Sequence, residues 1–215
     1  MPYVIRPPVR RMWVAGLAAA LATLALMVPA SSKADTLACD LPTLSNPFAA
    51  FGDVDSYVPV PDGGFEAGAS GWSLSSGASV VGGNETSYVG SATDSSSLSI
   101  PAGEVAVSPG FCVDQTYPTF RFFARQVSGG SELRVRARYY DGTAMREVEL
   151  GRLGGPKYAN NKWVLTSKLD LASKIDLLTS GGRRDSLQLV FTSVPGPGGV
   201  GNWQVDDVYV DPYRR

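Results

Sequence analysis

The sequence predicts a single all-β domain, an antiparallel sandwich of short strands preceded by an amino-terminal signal or anchor segment. Three observations predict it. The 215 residues include 24 Gly and 15 Pro, which break a chain into turns and do not favour long helices. From Gly71 onward, short apolar runs recur between Gly, Pro and Asn, the spacing of a sandwich or barrel. In Glu132 to Asp141 (ELRVRARYYD), Leu133, Val135, Ala137 and Tyr139 alternate with Glu132, Arg134, Arg136 and Arg138. That period of two buries one strand face and leaves the other wet and basic.

The first 34 residues obey different rules. Arg6, Arg10 and Arg11 precede an uncharged apolar run, Met12 to Ala30, and then Ser31-Ser32-Lys33-Ala34. This is the shape of a secretory signal with small residues at its cleavage site. The run is also long enough to span a bilayer as an uncleaved anchor, and Leu37-Ala38-Cys39 has some likeness to a lipoprotein box. All three readings place the domain outside the cytoplasm, with a membrane met only through this segment. In that compartment an even pair of cysteines, Cys39 and Cys112, is expected to form a disulfide. It would close a loop of roughly seventy residues and stabilise by about 3 to 4 kcal/mol through the unfolded chain.

Residues 35–61 are rich in Pro and apolar side chains, and Pro allows ladder pairing only at edges. A tethered extended segment is expected there, with the sandwich proper at 62–215. Short strands are expected over Gly71 to Ser75, Ala78 to Val81, Ser97 to Ile100 and Val105 to Ser108. Thr119 to Val127 and Glu132 to Asp141 form a hairpin through Ser128-Gly129-Gly130-Ser131, where Gly supplies positive φ. Asp141-Gly142 turns the chain into Arg146 to Leu150, whose Glu147 and Glu149 face the arginine row. Lys162 to Leu171 reads as a further strand, and Ser173 to Leu178 as a helical turn capped by Ser173. The last strands are Ser186 to Val194 and Gly201 to Pro212, the latter burying Trp203, Val205, Val208 and Val210.

Composition narrows function. A formal charge of -1 and a pI near 5.5 give no basic field for nucleic acid. The absence of His excludes Ser-His-Asp and Cys-His catalysis and imidazole zinc sites. No GxSxG elbow or phosphate loop is present, and Glu147 with Glu149 lacks the cleft signature of a glycosidase pair. Asn84-Glu85-Thr86 fits a glycosylation sequon. These exclusions favour a non-catalytic protein. Two classes remain, a binding module for carbohydrate and a structural or adhesive surface domain.

Phe65-Glu66, Gly71-Trp72, Gly90 with Ser97-Leu98, Trp163 and Asp206-Asp207-Val208 together resemble the galactose-binding-like jelly-roll family, which includes extracellular carbohydrate-binding modules. The resemblance spans Asp62 to Val210 and implies a jelly-roll sandwich. It also implies a structural calcium held by backbone carbonyls and carboxylates between the first and last strands, with Glu66, Asp206 and Asp207 as ligands, a donor chemistry that suits a hard cation. It places Trp72, Trp163 and Trp203 in the core, so a polysaccharide must use other rings. Tyr140 and Tyr158, with Arg134, Arg136, Arg138, Asn160 and Asn161, are the candidate ligand-binding residues, since sugar CH faces stack on exposed rings while polar neighbours bond hydroxyls.

Overall fold

The computed structural model describes residues 43–114, 119–175 and 183–211, all within one compact unit, Asp35–Arg215. In chain order the strands are β1 (Val58–Pro59), β2 (Ser73–Leu74), β3 (Ser79–Gly82), β4 (Ser96–Pro101), β5 (Val105–Val107), β6 (Phe111–Asp114) and β7 (Thr119–Ser128). They continue with β8 (Glu132–Tyr140), β9 (Met145–Leu153), β10 (Val164–Leu165), β11 (Leu169–Asp170), β12 (Arg183–Val194) and β13 (Asn202–Val210). One sheet runs β10-β7-β13-β4-β3, with β1 also on β13 and β11 on β7; the other runs β2-β5-β12-β8-β9, with β6 on β12. All pairings are antiparallel. The all-β jelly-roll sandwich expected from the sequence is the fold observed.

The core lies between the sheets. Phe120, Phe122 and Ala124 of β7 and Trp203 and Val205 of β13 meet Leu133, Val135 and Ala137 of β8 and Leu189 and Phe191 of β12. Their spacing of two along each strand puts them on inward faces. Phe65 and Trp72 close one end, with ring centroids 5.0 Å apart.

Three local outcomes differ from the sequence reading. Lys162 to Leu171 is two short strands, because Thr166 interrupts the ladder on β7. Its Oγ1 accepts from Phe122 N at 3.2 Å and its carbonyl from Arg121. Four residues there oppose three of β7, Leu165 facing Phe123 and Leu169 facing Phe120. The turn after Leu171 is held by Asp170, whose Oδ1 accepts from Ser173 N at 3.0 Å, and the rest of that expected helix lies outside the described residues. The strand β6 was not anticipated.

The segment before Asp62 is also more than a tether. Its 3-10 turn, η1 (Ala49–Phe51), carries Phe48 onto Tyr57 and Tyr209, at ring distances of 4.9 Å and 5.5 Å, on the outer face of the β13 sheet. Beneath them Asp53 accepts from Tyr57 Oη at 2.7 Å and pairs with Arg121 at 2.7 Å and Lys168 at 3.2 Å. Burial raises the Asp53 pKa, but the bonds from Tyr57, Arg121 and Lys168 outweigh it and hold the carboxyl below its ordinary value. The leader, Cys39 and the rest of residues 1–42 lie outside the described residues.

Removing one partner of a buried pair leaves the other charge unsatisfied, so Asp53→Ala should destabilise the domain by about 3 kcal/mol. Urea denaturation reads this directly, and an unchanged midpoint would show that the segment rests on the sheet without holding it.

Candidate functional site

The last strand builds the most unusual site. Trp203 and Val205 face the core, and so do Val208 and Val210, but the gap from 205 to 208 breaks the period of two. An extra residue must sit between them. The register shows it: Asp206 faces Phe123 and Tyr209 faces Arg121, a β-bulge with Asp207 at φ 49°. At the bulge the neighbouring strand also changes, from β4 up to Val205 to β1 at Tyr209 and Val210. Asp207 therefore lies at a seam where no strand covers it.

The opening turn meets this seam. Val60 N donates to Val208 O at 2.9 Å and Val208 N to Gly63 O at 3.1 Å. A Cβ on Gly63 would stand 2.7 Å from Val208 O, so only Gly permits the approach. Asp62 organises the turn by accepting from Ala67 N and Ser70 N, which supports Phe65 at φ 61°. Glu66 follows, and its Oε1 accepts from Ser95 N at 2.8 Å and Ser96 N at 2.7 Å. Between these elements lies a cavity of about 300 Å³ lined by Glu66, Asp94 and Asp207, with Gly63, Gly64 and Gly90. A Cβ on Gly90 would lie 2.5 Å from Asp94 Oδ2 and 2.8 Å from Asp207 Oδ1. The glycine is what lets the carboxylates close in.

The electrostatics are unfavourable without a counter-charge. Burial, with Glu85, Asp94 and Glu66 nearby, pushes the Asp207 pKa up to about 7. Burial, then Asp207, pushes Asp206 up to about 9. Burial and Glu66 also raise Asp94. Asp207 Oδ2 is buried with no hydrogen-bond partner. An orphan carboxylate oxygen among like charges is the chemistry of a cation seat. Among the described residues no group of three or more Asp, Glu or Cys is placed to hold a metal ion; a cation here would take most of its shell from backbone carbonyls.

Of the three metal-ligand candidates, Glu66 and Asp207 line this cavity and Asp206 does not. Asp206 is fully buried, and its oxygens accept from Glu85 N at 2.8 Å and Asp207 N at 2.9 Å. Glu85 and Asp94 were not anticipated as members. Glu85 was visible only as the middle of a sequon and Asp94 as part of a serine-rich turn; the β3–β4 pairing brings both to the bulge. Glu85 is itself fully buried and accepts from Val89 N at 2.7 Å and from Ser87 N.

A second candidate surface covers the outer face of β8 and β9. Their register sets Arg138 opposite Glu147 and Arg136 opposite Glu149. Arg136 and Arg138 both reach Glu147, at 2.7 Å and 2.8 Å. Glu149 takes Arg152 at 2.7 Å and Arg134 at 3.4 Å. Hydrogen bonding from Arg152 holds the Glu149 carboxyl below its ordinary range. Tyr140 ends the row on the same face, 50% exposed, opposite Met145 at 57%. Tyr158 lies apart from it, 5% exposed and packed on Trp203 at 5.5 Å; Asn160 and Asn161 follow it in an exposed turn. Trp72 and Trp203 are in the core as expected, while Trp163 is half-buried on the opposite sheet.

No protein-family model matches the chain, and no match was found among curated proteins. In fold the chain is similar to solved carbohydrate-binding modules. One is a family 61 module in complex with β-1,4-galactotriose, at 17% identity and TM-score 0.41, over 74% of this chain and 99% of that one. Another is the N-terminal cellulose-binding domain of Cellulomonas fimi β-1,4-glucanase C, at 17% identity and TM-score 0.46, again over 74% and 99%. A third is the family 11 module of a Clostridium thermocellum cellulosomal cellulase, at 12% identity and TM-score 0.45, over 73% and 94%. At these identities the likeness concerns strand arrangement and brings no ligand to this chain.

The raised carboxyls give a signed pH dependence. Unfolded, Asp titrates near about 3.9; folded, Asp207 and Asp206 titrate at about 7 and about 9. Metal-free folded protein thus holds protons the unfolded chain has released, and its stability falls as pH rises through that window. Chelator-stripped protein should melt higher at about pH 5 than at about pH 8. A melt that does not fall over this range would show both carboxyls ionised in the fold.

Proposed function

We propose that this chain is an exported, non-catalytic carbohydrate-binding module that uses the outer face of β8 and β9, with a structural calcium in the Glu66 and Asp207 cradle. The observation that carries the reading is the arginine and glutamate ladder. Guanidiniums of β8 repeat at about 7 Å along a rigid strand and face carboxylates of β9, and the described charges nearly balance, with Arg134, Arg136, Arg138 and Arg152 against Glu132, Glu147 and Glu149. Sugar hydroxyls both donate and accept, so such a face suits a neutral polyol better than an anion. The Tyr140 ring supplies a surface for a sugar CH face at one end.

The same ladder supports a non-catalytic role. A glycosidase acid needs a raised pKa, whereas Glu149 is lowered and Glu147 is held by two arginines. Calcium fits the cradle because the unpartnered Asp207 Oδ2, the glycine approaches and the mutually repelling carboxylates all call for a hard cation with oxygen ligands. When bound, the ion would neutralise Glu66, Asp94 and Asp207 and tie the opening turn to the last strand. A Cys39 to Cys112 disulfide completes the proposal by fixing the segment before Asp62 to β6, as an oxidising compartment would allow.

A second reading, a structural or adhesive surface domain, is favoured by the ladder being satisfied internally, since paired surface charges are ordinary. Retention of the full-length protein on a panel of insoluble polysaccharides separates the two. Binding to at least one is expected, weakened about tenfold, or about 1.4 kcal/mol, by Arg136→Ala or Tyr140→Ala with the melt unchanged. No retention on the panel would replace the binding module with the surface domain.

A further inference from the structure

The opposite sheet carries a guanidinium with no counter-ion. Arg121, Arg134, Arg136, Arg138, Arg146 and Arg152 each pair with a carboxylate; among the described arginine side chains Arg125 alone does not. It is nonetheless fixed in place. Its guanidinium lies 4.5 Å from the centroid of the Trp163 ring, and its Nε donates to Gln204 Oε1 at 2.6 Å. Gly83 stands opposite, where a Cβ would come within 3.5 Å of Nη2, and it adds no side chain there. Burial lowers the Arg125 pKa, against the charge of its neighbour Asp206.

The groups beside Arg125 share one polarity. An arginine Nε can only donate, so it fixes the Gln204 amide with Oε1 inward and Nε2 left over, although Gln204 is only 9% exposed. Two residues away on the same face, Asn202 Oδ1 is taken by Ser99 Oγ at 3.1 Å, which leaves its Nδ2. The acceptors of this row are used inside the protein. The donors that remain are the two Nη groups, Gln204 Nε2 and Asn202 Nδ2.

We propose that this row is a second ligand contact, on the sheet opposite the arginine ladder, which seats one oxyanion of an acidic glycan, a carboxylate or a sulfate ester. A ligand group that only accepts matches a row that only donates, and the Nη edge of a preoriented guanidinium takes two oxygens at once. Stacking on Trp163 reduces the ordering cost of binding, because the side chain is already positioned. The glycan part of the assignment rests on the binding-module reading above; the anion seat stands on this geometry alone.

Calorimetric titration of the full-length protein with trigalacturonate, a sulfated galactose disaccharide and neutral galactotriose tests it. One or both acidic probes should bind in a way that depends on Arg125 and the neutral one should not, and the two acidic arms identify the oxyanion. Arg125→Gln should weaken the acidic probe at least tenfold, Arg125→Lys should weaken it less, and Gln204→Glu should abolish binding by placing a carboxylate in the row. Arg146→Gln, in an exposed pair at the β8–β9 turn, should have no effect. Galactotriose binding that Arg125→Gln weakens as much as acidic binding, acidic binding undiminished by Arg125→Gln at an unchanged melt, or no acidic binding would each overturn the seat. Retention on insoluble polysaccharide without acidic-probe binding refutes this seat alone; Arg125-dependent binding without retention refutes the ladder reading alone.

Discussion

The structure depends on one extra residue in its last strand. Without the bulge at Asp206 and Asp207, β13 would keep a strict alternation, and either Trp203 with Val205 or Val208 with Val210 would face the wrong way. The bulge keeps all four in the core and leaves two adjacent carboxyls buried, Asp206 beneath the Glu85 loop and Asp207 in the seam between β4 and β1. Burying a carboxylate without a partner is costly. The surroundings answer it only for Asp206, which backbone amides satisfy; Asp207 keeps an unpartnered oxygen beside a glycine-lined cavity.

That constraint reaches the chain's opening stretch. Gly63 must be glycine to approach Val208, Asp62 must hold its turn, and Phe65 takes a left-handed conformation so that Glu66 can lie against the Ser95 and Ser96 amides. The motif Phe-Glu-Ala-Gly near one end and Asp-Asp-Val near the other are therefore two halves of one device. The faces of the sandwich, by contrast, are free to vary. One carries a nearly balanced ladder, the other an arginine stacked on tryptophan beside the packed segment that holds Phe48 and Asp53.

Much of this was legible in the residues. Alternation placed Leu133, Val135 and Ala137 inward and the arginines outward, and the turn at Asp141-Gly142 set Glu147 and Glu149 across from the arginine row. The inward set Trp203, Val205, Val208 and Val210 already implied the bulge, because its spacing is not even. What could not be read was set by long-range pairing. Asp94 reaches the cradle, and Glu85 the buried Asp206, only because β3 and β4 carry their loop to β13, and the Arg125 and Trp163 stack forms between residues nearly forty apart. Tyr158 was placed by its loop position, but the chain turns it onto Trp203. The segment before Asp62 reads as a tether from its prolines, yet Phe48, Asp53 and Tyr57 make it part of the fold.

The central claim is that the bulge builds a cation seat. Calorimetric titration of calcium into chelator-stripped full-length protein tests it most directly, with Asp207→Asn as the comparison. One site per chain is expected, lost in Asp207→Asn while the β-sheet circular dichroism is retained. No heat of binding, or calcium binding unaltered by Asp207→Asn, would contradict it and leave Asp207 as a buried carboxyl held neutral by the fold.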